Sequence, residues 1–188
     1  KIRPGQTPPA RRDEAIRIRC ARNETDAAQL VVRPAGALVG FVIEPAPLVG
    51  RDGAAIAPEQ IEILEVGQVQ IAQPTDRAGA PGPWPDPLFP IGAPLDLAAN
   101  ANHAFWIRIH APRDARPGVY RGELRLRARG WAAVAPLELT VYEFTLPDRM
   151  TCTTAFGFSP NNVFRYHRLQ TEARSEERRV GKECRSRW

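Results

Sequence analysis

Apolar and polar residues alternate with a period of two along most of this chain, which is the mark of strands with one dry and one wet face. Residues 15–22 set Ile16, Ile18 and Cys20 against Arg17 and Arg19. Composition makes 23–26 a turn, and further strands are predicted at 29–33 and 39–44, joined through Pro34 and Gly36. The run Arg51-Asp52-Gly53 predicts a tight reversal. In 61–71, Ile61, Ile63, Val69 and Ile71 share one parity while Val66 falls out of phase, so a bulge or bend is expected beside Gly67.

The second half alternates more cleanly. Phe105, Ile107 and Ile109 oppose Trp106, Arg108 and His110. After the turn sequence ARPG at 115–118, Tyr120, Gly122, Leu124, Leu126 and Ala128 oppose Arg121, Glu123, Arg125, Arg127 and Arg129. Gly130 leads into a return strand carrying Leu137, Leu139 and Val141. Strands at roughly ten-residue spacing, with turn signals and no helical periodicity between them, predict an all-β fold, an antiparallel β-sandwich.

Residues 73–97 interrupt that pattern with seven prolines and a single tryptophan. Proline has no amide hydrogen for a ladder and pushes its predecessor toward extended geometry, so the stretch is expected to be a long loop, neither helix nor sheet. Trp84, Leu88, Phe89, Ile91, Leu95 and Leu97 make it too apolar for a solvated linker. It is therefore expected to be an ordered loop fastened by its apolar residues, with Asp76 and Asp86 held at defined places.

Beyond Leu146-Pro147-Asp148 the pattern changes. The apolar run TTAFGF at 153–158 precedes Ser159-Pro160, a helix-start signature, and Val163, Tyr166 and Leu169 recur at helical spacing. A strand followed directly by a helix predicts the first βα unit of a truncated (β/α)8 barrel. The predicted organisation is a lead at 1–14, the sandwich at 15–147, the start of a barrel at 148–173, and a tail at 174–188.

That tail, RSEERRVGKECRSRW, resembles the in-frame translation of a sequencing adapter along its whole length, and it holds the only lysine after Lys1. Setting it aside leaves 20 basic and 18 acidic residues of the chain's 26 and 21, and lowers the net charge from +5 to +2. The remaining arginines alternate with apolar residues along strands, which argues against a nucleic-acid partner. Cys20 and Cys152 stand outside any CxxC spacing and are expected to be buried free thiols. No apolar run is long enough to span a bilayer. The chain begins at Lys1, so any signal peptide would lie upstream, leaving a secreted or periplasmic location open.

Four stretches carry a family resemblance: QPTDRAGAPGPWPDPLFP, ANHAFWIRIHAPRDARPGVYRGELRL, VYEFTLP and TTAFGFS. They resemble the N-terminal β-sandwich and first barrel strand of bacterial proteins related to glycoside hydrolase family 123. The resemblance covers roughly residues 15–173, and WPDPL and RPGVYRGEL are its most specific parts. It implies a sandwich packed on a (β/α)8 barrel that hydrolyses N-acetylhexosaminides without a cofactor. In that chemistry the substrate's acetamido oxygen attacks the anomeric carbon, assisted by an adjacent Asp-Glu pair on a later barrel strand. This chain ends before that strand, so no catalytic residue is assigned, and the fragment is expected to be inactive alone. A stand-alone carbohydrate-binding or adhesive sandwich is the alternative.

Among possible site residues, Asp13-Glu14 reads as a solvated charge cluster beside Arg11 and Arg12. His103 and His110 lack a third ligand at usable spacing and do not read as a metal site, and His167 reads as an outer-face residue of the first barrel helix. Trp84, Asp86 and Asp76 are the substrate-binding candidates. Two readings of them stay open. Trp84 plugs a gap between sandwich and barrel while Asp86 caps nearby amides, or Trp84 offers a flat face to a sugar ring while Asp86 bonds a hydroxyl.

Overall fold

The computed structural model describes residues 2–7, 15–74 and 79–149, with the isolated positions 161 and 165. The chain divides into two compact units, Lys1–Asp148 and Arg149–Trp188. The expected barrel start apart from positions 148, 149, 161 and 165, together with Cys152, His167, the adapter-like tail and Asp13-Glu14, lies outside the described residues.

Eleven strands are described: β1 Ile16–Arg22, β2 Glu24–Val32, β3 Leu38–Pro45, β4 Leu48–Gly50, β5 Ala55–Ile56, β6 Ile61–Ile71, β7 Gly82–Pro90, β8 Leu95–Leu97, β9 His103–Ala111, β10 Gly118–Ala128 and β11 Trp131–Thr145. They form two sheets. The first has the order β1-β11-β10-β3-β8, with the small β4–β5 hairpin attached to β10, and the second has the order β2-β9-β6-β7. The inward sets meet in one core of Ile18, Cys20, Phe41, Leu48, Phe105, Ile107, Ile109, Tyr120, Leu124, Leu137, Leu139 and Val141. Each large apolar side chain buried there contributes on the order of 1.5–3 kcal/mol. Phe41 meets Phe105 across the layers, ring centroids 5.5 Å apart.

The structure corrects three expectations. β1 pairs with β11 in parallel, Ile16 beside Leu137 through Cys20 beside Val141, so the sandwich is not wholly antiparallel. Period-two alternation says which side of a strand is dry and nothing about the direction of its neighbour. Second, the turn after β1 is a single residue, Asn23 at φ 60°, and β2 already begins at Glu24. Asparagine tolerates this left-handed geometry, and the reversal carries the chain from one sheet to the other.

Third, residues 73–97 are not all loop: β7 and β8 fall within them. β7 is an edge strand, the one place in a sheet where proline is tolerated. Pro83, Pro85 and Pro90 stand opposite Gln70, Gln68 and Leu64, all of one parity on β6. A single phase lets every missing amide fall on the side away from β6. Holding that phase takes one extra residue on β7, and the register shifts between Val66 and Gln68, setting Asp86 and Pro87 both opposite Gly67.

Two glycines mark close approaches. A Cβ on Gly67 would run into the ring of Phe89, which is exposed and free to swing aside. A Cβ on Gly122 would sit 2.6 Å from the Pro47 carbonyl oxygen and 2.7 Å from Leu48 Cδ2, inside the core. Gly122→Ala is therefore expected to cost about 1–3 kcal/mol through overpacking, and Gly67→Ala much less. Urea unfolding of the two variants checks this, and equal midpoints would refute it.

Cys20 is buried and free. Desolvation, reinforced by Glu24 and Asp26, pushes its thiol from 9.0 up to about 11. Tyr120 is also raised, chiefly by burial. A raised folded-state value means that stability from the protonated thiol is fully present below pH 9.0 and is lost as pH climbs through about 11. Unfolding free energy should fall more steeply across that window for the natural sequence than for Cys20→Ala. Parallel pH profiles would exclude the effect.

Candidate functional site

The candidates from the proline-rich stretch lie on a two-stranded arm. β9 pairs with β6 from Ile61 to Glu65, and past Glu65 β6 pairs with β7 alone among the described residues. An isolated hairpin in water is marginal, so the far end of the arm needs tertiary support. Trp84, paired with Val69, supplies it. Its indole Nε1 donates to the Ala80 carbonyl at 2.6 Å, and the Arg3 guanidinium lies over its ring, 3.8 Å from the centroid.

Arg3 is held there by a turn. The Arg3 amide donates to Gln6 Oε1, and the Gln6 amide donates back to the Arg3 carbonyl. Asn102 docks this turn. Its Nδ2 donates to the carbonyls of Arg3 at 2.8 Å and Gln6 at 2.7 Å, its Oδ1 accepts from Arg33, and its amide donates to the Pro4 carbonyl. Asn102 is the buried polar side chain among the described residues, and these partners satisfy both ends of its amide. Neither Arg3 nor Asn102 stands out in the sequence. The signal for Asn102 is slight: Asn100 and Asn102 precede β9, and Asn100 takes φ 58°.

Trp84 is thus half-buried with one ring face covered by Arg3. Asp86 is exposed on the β7 bulge. Asp76 lies outside the described residues. Of the apolar residues expected to fasten the stretch, Leu97 joins the core, Ile91 and Leu95 pack against it, and Leu88 and Phe89 remain exposed.

The histidines sit apart on β9. His103 Nε2 lies 3.1 Å from the Ala98 carbonyl, whose oxygen accepts, and His110 Nδ1 lies 3.0 Å from Thr25 Oγ1. Among the described residues no group of three or more His, Cys, Asp or Glu side chains converges on a metal position.

Two carboxylates have displaced titration. The Arg116 hydrogen bond, with help from the Ala54 amide, lowers Asp52, and Arg113 followed by Asn23 lowers Asp148. A general acid at neutral pH needs the opposite shift. These are structural ion pairs: Asp148 anchors the end of the sandwich to Arg113 and Asn23, while Asn23 also donates to the Leu146 carbonyl.

With this geometry in place, the backbone can be compared with known structures. A family 123 glycoside hydrolase from Clostridium perfringens, studied for glycolipid glycan hydrolysis, superposes with a TM-score of 0.63 at 17% identity, over 71% of this chain. That likeness is one of fold, and this chain covers 24% of that protein. A PapD-like domain of human CEP192 aligns over 72% of this chain and 84% of its own at 11% identity, with a TM-score of 0.34, too low to carry an argument. No protein-family model matches the sequence, and no curated protein matches it.

Asn102→Ala removes two donors and one acceptor and strands the carbonyls of Arg3 and Gln6. It is expected to cost about 1–3 kcal/mol and to speed hydrogen exchange at the Gln6 amide, which donates within the docked turn. Asp86→Ala should do neither. Unchanged melting and unchanged exchange at the Gln6 amide in Asn102→Ala would show that the turn is not docked through this side chain.

Proposed function

We propose that this chain is the accessory β-sandwich of a longer glycoside hydrolase whose chemistry resides in an α/β barrel following residue 148. The observation that carries the reading is the likeness of the sandwich backbone to the family 123 structure. The resemblance read from WPDPL, RPGVYRGEL and VYEFTLP points the same way, although no family model matches the chain. The barrel would provide an Asp-Glu pair for substrate-assisted hydrolysis of N-acetylhexosaminides. The sandwich itself contributes folding stability and no acid or base.

In this reading Trp84 is a clasp for the β6–β7 arm. The Arg3 contact, about 0.5–1 kcal/mol at a partly exposed site, covers one face of the indole ring. Asp86 is an exposed carboxylate on the arm, open to a hydroxyl, beside the exposed Gln68 and Gln70.

The test is to express the longer reading frame and assay it with aryl N-acetylhexosaminides beside residues 1–188 alone. Hydrolysis is expected from the longer protein only. Trp84→Ala in that protein should lower Tm by several degrees, about 2–4 °C per kcal/mol at this size, with KM unchanged. Hydrolysis by residues 1–188, or a reading frame with no following barrel, would overturn the assignment. A raised KM at unchanged Tm would move Trp84 from clasp to sugar contact.

A further inference from the structure

A second place on the sandwich has the chemistry of a binding site, and it stands whether or not a barrel follows. Near its end β11 leaves its neighbours: Val141 pairs with Cys20 and Thr145 with Arg22, so Tyr142, Glu143 and Phe144 all stand opposite Ala21 alone. Pairing with β10 ends at the same point, Gly118 with Val141. Arg22 braces the bulge by donating to the Glu143 carbonyl. Bulges of this kind re-aim side chains. Here the result is two aromatic rings on the surface, Tyr142 42% and Phe144 59% exposed, parallel within 8° and 5.9 Å apart.

Exposed aromatics are costly in water, and parallel rings stack well with the flat C–H face of a pyranose. The charges beside them narrow the choice. The outer face of the first sheet carries Arg17, Arg19, Arg121, Arg125 and Arg127 against Glu44, Glu123 and Glu138. Each of these three glutamates is already engaged, Glu138 by Arg121 at 2.9 Å and Arg17 at 3.9 Å, Glu123 by Arg125, and Glu44 by Arg127, while Glu143, between the two rings in sequence, is exposed and has no such ion pair among the described residues. Among the described residues Arg19 has no such ion pair. It is in register with Thr140, two residues before Tyr142 on the same face. Strand geometry puts its Cα about 8 Å from that of Tyr142, within reach for a guanidinium approaching a group held over the rings.

We propose that the β11 bulge binds an acidic saccharide, the ring of a uronate residue stacking on Phe144 and Tyr142 while Arg19 takes its carboxylate. A planar fork of donors suits a carboxylate, and Tyr142 Oη adds a hydroxyl contact at the rim. No bond is made or broken. The site retains a glycan and leaves its chemistry elsewhere.

The experiment is calorimetric titration of residues 1–188 with hexagalacturonate, with neutral chitohexaose, and with a polyglutamate peptide of matched charge, all at one ionic strength. Hexagalacturonate is expected to bind. Phe144→Ala should weaken it about tenfold or more, Arg19→Gln should reduce it to the level of chitohexaose, and Trp84→Ala should leave it unchanged. Phe144 and Arg19 are exposed, so both variants should melt as the parent does. Tyr142→Ser gives the same reading should Phe144→Ala melt early. Equal binding of polyglutamate would reduce the site to unspecific charge, and full binding by Phe144→Ala would remove the rings from it. Self-association of the chain abolished by Phe144→Ala would mark the rings as a surface between copies. Each of these three results overturns the proposal. A hydrolytic barrel could fail to appear with this site intact, and the reverse also holds, so the two proposals fail separately.

Discussion

Two sheets hold together only if their dry faces meet without gaps, and here that contact centres on Phe41 of the first sheet against Phe105 of the second. Trp131 closes on Phe41 from the side, 6.2 Å between centroids. Around them the inward residues of β9 and β10 are almost wholly removed from water. Close packing of this kind leaves no tolerance for an added methyl, which is why Gly122 must remain without a side chain. Its empty place admits the backbone of Pro47 and the side chain of Leu48 as the chain enters β4.

The second sheet ends on a strand that can exist only at an edge. Four prolines lie in β7, and each removes a donor. A ladder survives when the missing donors point outward, so the bulge opposite Gly67 is a condition of the pairing and not a defect. The same prolines make a poor template for another chain's strand, which protects an edge that also exposes Leu88 and Phe89. The arm overshoots its sheet and then depends on the Arg3 turn, which in turn depends on Asn102. Residues far apart in the chain thus stabilise one hairpin in series.

Functionally, the sandwich divides its surface between such fastenings and one place where they are missing. The Trp84 arm and the Asp148 exit are both tied by arginine: one through a ring face, the other through an ion pair with Arg113. Exposed ion pairs of the second kind are worth little singly, but they set the geometry of chain exits. The β11 bulge differs in that its aromatic rings face solvent and Arg19, on the same face, has no ion pair among the described residues, while Arg22 braces the backbone beneath. That contrast, more than any single residue, separates the structural candidates from the binding candidate.

Much of the sandwich was legible in the sequence, because burial on one face writes a period of two into β1, β9, β10 and β11, and because an out-of-phase Val66 beside Gly67 announces irregular pairing; in β6 the expected phase fails, with Leu64 buried and Val69 exposed. The β4–β5 hairpin was too short to leave a period, and β7 was hidden because proline argues against strand until its partner's register is known. Trp84 could be singled out by its setting among prolines, whereas Arg3 and Asn102 could not, since their roles come from a contact spanning about a hundred residues of chain. Nothing in the alternation marks Tyr142 and Phe144 as exposed rings, since that follows from β11 parting from Cys20 and Arg22. Local alternation therefore determined which faces are dry and where most strands run. Only the tertiary structure decided that β1 lies parallel to β11, which edge admits proline, and which aromatics meet water, because direction, register and exposure belong to pairs of segments and not to either segment alone.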